Sequence, residues 1–148
     1  MLHHLILILH LLCASIWVGG HLFIAIRILP EALLHKNYSD LLKFEKAYEP
    51  VGMPALLILV ITGLWMAGKY VPLQYWFSFS SPVEKVISIK LLLLLTTLLL
   101  ALSAQTRVLP TLKAGKNKLR LMAFHIIAVT ITGVAMLVLG SFIRFGGL

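Results

Sequence analysis

Residues 2–29, LHHLILILHLLCASIWVGGHLFIAIRIL, decide the fold class. A stretch this long and apolar exceeds the about 20 residues, at about 1.5 Å rise each, that carry an α-helix across a bilayer. Yet it holds His3, His4, His10 and His21, four of the chain's six histidines. At about 100° per residue, His3, His10, Trp17 and His21 fall within about 20° of one line along the helix. Imidazoles on one stripe of a membrane helix face protein rather than lipid, because a polar group in hydrocarbon needs a partner. What those imidazoles meet is therefore the question of function.

Three further stretches, about 51–70, 82–109 and 119–142, are equally apolar. With 60% hydrophobic and 12% charged residues, the chain lies far from soluble domains, in which about a quarter of residues are charged. The reading is an all-α integral membrane protein, a single-domain four-helix antiparallel bundle whose first partner is the lipid bilayer. Met1-Leu2-His3-His4 has no basic start and no small-residue cleavage site follows, so the first helix is expected to be retained. The net charge of +8 does not point to nucleic acid, since the basic residues are scattered over helix ends and loops. Arg27, Lys36, Lys43 and Lys46 gather around the first loop, and Arg107, Lys113, Lys116, Lys118 and Arg120 around the third. By the positive-inside rule those loops are cytoplasmic and both termini lie outside, periplasmic in the bacterial inner membrane expected for such a chain. The single Cys13 excludes an internal disulfide.

Local signals subdivide the chain. Residues 31–50 are its most polar part, with Ser39 read as N-cap of a short helix Asp40–Tyr48 lying on the membrane surface or in solvent. Tyr70, Tyr75, Trp76, Phe77 and Phe79 have the composition of an aromatic belt. Ser81-Pro82-Val83-Glu84 is a capping box with proline at the first helical position. In the third span Lys90 shares a stripe with Thr97, Ala101 and Ala104. Pro110 to Asn117 forms a short basic turn, and the fourth span carries His125, Ala128, Thr132, Gly133, Met136 and Gly140 on one side. No internal repeat is read from the hydropathy pattern.

Counting rise along opposed spans places His21 and His125 at one depth, roughly 10 Å to the cytoplasmic side of the bilayer centre. His10, Met66 and Lys90 share a second, outer level, with His3 and His4 above it. Haem in a membrane bundle is held by axial His or Met, or less often by other side chains, with small residues making room and cations near the propionates. His21 and His125 are thus candidate axial ligands of haem b, with Arg27 near a propionate. His10 opposite Lys90 or Met66 is a candidate outer site. Such a cytochrome b-like protein would work with a membrane or periplasmic redox partner or a quinone, and a homodimer is compatible with it. Copper is the alternative occupant, taken up by His3 in the third position and passed along His10, His21, His125 and Met66. The plainer roles are interhelical hydrogen bonding for the histidines, snorkelling for Lys90 and packing for Met66. No nucleotide loop, zinc spacing or serine triad is present.

His10-Leu-Leu-Cys-Ala-Ser-Ile-Trp17-Val-Gly-Gly20, Ile61-Thr62-Gly63-Leu64, Ile89-Lys90-Leu91 and the basic turn before span four together resemble the copper-resistance D (CopD) superfamily of small membrane proteins. That group is similar to the HemJ-type membrane protoporphyrinogen oxidases, four-helix proteins that bind haem b. The resemblance implies haem-binding roles for His10 and Lys90, and admits a protoporphyrinogen IX oxidase-like activity as a third function. The chain departs from the oxidase type at Phe23-Ile24-Ala25-Ile26-Arg27, where Tyr-Leu-Pro-Arg is expected, and at Phe124-His125-Ile126, where an Asn-Glu pair is expected. Both departures count against porphyrinogen oxidation and leave haem binding open.

Overall fold

The computed structural model describes residues 1–115, 118–143 and 145–147. Four helices long and apolar enough to cross a membrane make up almost all of it: α1 (Leu2–His35), α2 (Ser39–Tyr70), α3 (Pro82–Lys113) and α4 (Leu119–Ile143). No strand occurs among the described residues. In each apolar window fewer than three residues in ten are buried within the chain. Leu92, Leu95, Leu99 and Leu102 therefore form an outward apolar face on α3, a surface that hydrocarbon would cover and water would not.

Helices α1 and α3 extend well past the ends expected from hydropathy, Leu29 and Leu109, because neither stops at its proline. Pro30 and Pro110 lack an N–H, and the ring of each would strike the carbonyl four residues earlier in an unbroken α-helix. The chain answers with a π turn just upstream, Ile24–Ile28 in α1 and Ala104–Val108 in α3, in which Leu29 N–H donates to Ile24 O and Leu109 N–H to Ala104 O. Such a turn widens the helix by one residue without breaking it.

The two π turns are also the clearest trace of an internal repeat, which corrects the reading from hydropathy alone. Arg27-Ile28-Leu29-Pro30 and Arg107-Val108-Leu109-Pro110 are the same motif 80 residues apart, and α2 and α4 begin at the same interval, at Ser39 and Leu119. Burial follows the repeat: Leu29 and Leu109, and Ala32 and Leu112, are all in the core at this end of the molecule.

The separate surface helix expected at Asp40–Tyr48 does not exist. Residues 39–70 form one helix that passes through Pro50 and Pro54 without interruption. Each proline costs a helix interior roughly 3 kcal/mol, and burial of Leu41, Glu45, Gly52, Ala55 and Leu56 against the other helices keeps both turns in register. Ser39 is the first helical residue rather than the cap; its N–H donates to Asn37 Oδ1 at 2.9 Å. The capping box at the start of α3 forms as read, with Ser81 Oγ accepting from Glu84 N–H and the Glu84 carboxylate accepting from Ser81 N–H. Ser88, fully buried, donates to Trp76 O or Glu84 O at 2.6 and 2.7 Å and ties the aromatic connection to α3. The turn between α3 and α4 bends at Gly115, whose φ of +77° suits glycine; Lys116 and Asn117 of that basic turn lie outside the described residues.

α1 packs chiefly on α2 and also on α4, α4 packs chiefly on α3, and α2 and α3 touch only sparsely. Thr97, fully buried, hydrogen-bonds Thr132 at 3.1 Å across the α3–α4 contact. The small and polar stripe of α3 thus faces α4, as the spacing of Lys90, Thr97, Ala101 and Ala104 predicts.

Candidate metal-ion site

His21 is carried by α1 one turn after Trp17, and His125 by α4 one turn after Leu121. In both, ring Nδ1–H donates to the carbonyl four residues back, at 2.8 Å to Trp17 O and 2.9 Å to Leu121 O. A carbonyl can only accept, so Nδ1 carries a proton in both rings. This is the arrangement in which a backbone acceptor orients a metal-binding imidazole. Ser103 Oγ–H donates to His125 Nε2 at 3.1 Å, while the His21 ring lies against Trp17 with centroids 4.3 Å apart.

Both imidazoles line one cavity of about 100 Å³, so the match in depth read from the sequence is matched by a shared space. The cavity is lined by equivalent positions of the two halves: His21 and Ala101, Ile24 and Ala104, Glu45 and His125, Glu49 and Val129. It therefore lies where the repeats meet. Trp17, 4% exposed, also lines it, and the indole N–H has no acceptor among the described residues. The Met53 thioether and the ring of Tyr48 complete the side formed by α2.

Glu45 and Glu49 are the two carboxyl side chains on this cavity, and among the described residues no lysine or arginine lines it. The sequence reading placed them in a surface segment and missed them. Their signal lies in spacing: Leu41, Glu45, Tyr48, Gly52 and Ala55 recur at helical intervals through Pro50 into the apolar span.

The remaining candidates are dispersed. His10 Nδ1–H donates to Thr62 Oγ1 at 2.7 Å, because the Thr62 hydroxyl proton is given to Ile58 O at 2.6 Å. Lys90 is close enough for its charge to act on His10, yet its ammonium lies beside Gly140 of α4 and no hydrogen bond or ion pair joins the two side chains among the described residues. Met66 is one turn beyond Thr62 on α2. His3 lies against Trp65 and Tyr70, with centroids 5.8 and 6.1 Å away. Arg27 does not turn toward the cavity: it pairs with Glu31 at 2.9 Å on an exposed face.

A tetrapyrrole does not fit between His21 and His125 as they stand. About 100 Å³ accommodates roughly three waters at about 30 Å³ each, whereas pockets for small organic ligands start near about 300 Å³. A bare metal ion fits. Among the described residues no three His, Cys, Asp or Glu side chains are gathered around one point, so the donors on offer are two imidazoles with a thioether and two carboxylates nearby. No family model, curated protein or solved structure matches the chain.

Proposed function

We propose that this is an antiparallel four-helix membrane protein that binds copper ions in the cavity between His21 and His125 and passes them across part of the bilayer. The observation that carries the reading is a single one: imidazoles from α1 and α4, each with Nδ1–H committed to its own helix, share one small cavity with carboxyl groups and, among the described residues, with no lysine or arginine. Imidazole and thioether donors suit copper, and Cu(I), with its filled d shell, is satisfied by two or three of them. The antiparallel arrangement is supported by the order of partners along α1: His3 meets Trp65 and Tyr70, His10 meets Thr62, Trp17 meets Tyr48 and Phe23 meets Phe44. The basic residues around the first and third loops put the cavity nearer the cytoplasmic side of a bacterial inner membrane.

Haem b is the second reading, favoured by the same pair of histidines; it requires His125 Nε2 to leave Ser103 and the helices to part until the cavity is several times larger. Membrane or periplasmic redox partners and quinones belong to that reading, and porphyrinogen oxidation stands behind it. One preparation separates them. Purified protein in nanodiscs is titrated anaerobically with Cu(I) against a chromophoric chelator, and a haem-sufficient preparation is scanned in the visible. One Cu(I) per chain is expected, weakened about tenfold or more, roughly 1.4 kcal/mol, by His21→Ala or His125→Ala and unchanged by Arg27→Ala. A Soret band that both histidine variants remove, with no copper bound, replaces copper by haem.

A further inference from the structure

The two halves of the repeat differ in charge at the end of the molecule that carries the π turns. Residues 27–49 and 107–129 occupy equivalent positions, 80 apart. The first stretch holds four basic and four acidic residues, the second five basic and no acidic ones. Every acid of the first half has a non-acidic counterpart in the second: Thr111 for Glu31, Arg120 for Asp40, His125 for Glu45 and Val129 for Glu49. One half is neutralised from within, and the other is not.

The difference is sharpest at the two arginines of the π turns. Arg27 and Arg107 open the same run, Arg-x-Leu-Pro, and both are exposed. Arg27 meets a carboxylate one turn on, Glu31 at 2.9 Å. Arg107 has Thr111 at that place, and the Thr111 hydroxyl donates to backbone, Arg107 O or Val108 O at 2.9 and 2.7 Å, not to a charge. No other acid is left for it. Asp40 pairs with Lys43, Glu45 with Lys113 and with Glu49, and Glu84 belongs to the capping box at the far end of α3; these, with Glu31, are all five acidic residues of the chain. Nor is Arg107 placed like a loop residue. The outward leucines of α3 run up to Leu99 and Leu102, and the arginine follows within the next turn. Its guanidinium stands where the hydrocarbon-facing surface gives way to a basic connection, the level at which long cationic side chains meet lipid headgroups. Lys118 and Arg120, also exposed, begin α4 at the same end, where Leu119 and Met122 pack with Val108 and Leu109. Cations at a helix start add to the positive end of its macrodipole, so this corner favours an anion.

We propose that the α3–α4 half binds the phosphate of an anionic phospholipid through Arg107, with Lys118 and Arg120 adding charge, and that the α1–α2 half does not, because Glu31 occupies the equivalent arginine. A guanidinium takes a phosphate by two parallel N–H···O bonds, as it takes a carboxylate. The lipid thus supplies the counter-ion that Thr111 cannot, while its acyl chains lie along Leu99 and Leu102. The inference goes beyond the cavity and holds whichever ion or cofactor the cavity takes.

Native mass spectrometry of the full chain in detergent micelles, titrated with dioleoylphosphatidylglycerol and with zwitterionic dioleoylphosphatidylcholine, measures the preference between the two lipids. The parent should prefer phosphatidylglycerol, and Arg107→Gln should lower that preference about fivefold, the scale of one basic residue at an anionic surface. Thr111→Glu, which gives Arg107 the carboxylate that Arg27 has, should lower it as much. Glu31→Thr should raise it, by freeing Arg27 in the same way. That last result is a gain, which unfolding cannot mimic, and circular dichroism establishes that the other two variants are folded. The parent's preference persisting in both Arg107→Gln and Thr111→Glu overturns the proposal. So does an equal loss from Lys36→Gln, which would show a diffuse attraction to positive charge rather than a site. Release of the bound lipid by millimolar inorganic phosphate overturns the lipid as ligand and leaves a site for free phosphate.

Discussion

Tyr48 is the residue that locks α2 onto α1. Its hydroxyl donates to Ile16 O or Trp17 O, at 3.0 and 3.2 Å, and its ring lies so close to Gly20 and Gly52 that a methyl group at either would overlap it. The two glycines are there because the ring needs the space of their missing Cβ atoms. Gly20→Ala should destabilise the fold by about 1–3 kcal/mol, as overpacking does, and should be partly rescued by Tyr48→Leu. Tyr48→Phe, which keeps the ring and loses only the hydroxyl, should cost about 0.6 kcal/mol, typical of an interhelical bond in a membrane. Unfolding in mixed detergent micelles, followed by circular dichroism, checks the ranking. Gly20→Ala milder than Tyr48→Phe would mean that the ring can move aside. At this scale the histidine pair was readable because depth follows from counting residues. The burial of Glu45 was not, because a polar residue in a polar stretch carries no mark of which side of the helix will be covered.

At the scale of the element, the start of α3 rests on local chemistry alone. Ser81, Pro82 and Glu84 satisfy the first free N–H groups of the helix and fix its first φ. Glu84 also accepts from the Ser78 hydroxyl and from Ser80 N–H at 3.2 Å, so the box extends into the preceding connection. Ser81→Ala should cost about 1 kcal/mol and loosen residues 78–84, seen as faster amide exchange there with the centre of α3 unchanged. Uniform protection across the segment would show that packing of Val86, Ile87 and Ser88, not the cap, holds this end. This element was legible because its determinants lie within four residues. The C-terminal ends of α1 and α3 and the start of α2 were not. Pro30, Pro50, Pro54 and Pro110 are breaking signals locally, and whether a helix stops, bulges or absorbs the cost depends on packing by residues distant in sequence.

For the whole molecule, an even number of membrane crossings would put both termini on one side, and by the positive-inside rule the basic first and third loops predict that this side is outside. Reporter fusions following residue 118 and residue 147 should give opposite answers, with the cytoplasmic reporter active at 118. Activity of that reporter at 147 would reverse the orientation. The cavity itself would not move, because inverting the molecule preserves which residues share a level. The repeat explains why the cavity lies where it does: α1–α2 and α3–α4 present equivalent positions to each other, and the polar ones have diverged, His21 against Ala101 and Glu45 against His125. Three identical residues at the π turns, Arg, Leu and Pro, are too few to stand out among so many leucines until geometry selects them.

The sequence by itself determined four apolar helices, the cap that opens α3 and the stripe of α3 that carries Thr97. These follow from hydropathy, from chemistry within one turn and from a fixed rise per residue, none of which needs a partner helix. Only the tertiary structure decided that α2 runs unbroken from Ser39, that Glu45 and Glu49 line the cavity, that Arg27 pairs on the surface and that the space lined by the two histidines is only about 100 Å³. Those outcomes depend on how closely helices approach, and that distance is set jointly by Gly20, Gly133 and the side chains opposite them, Tyr48 and Val18, which no single stretch of sequence contains.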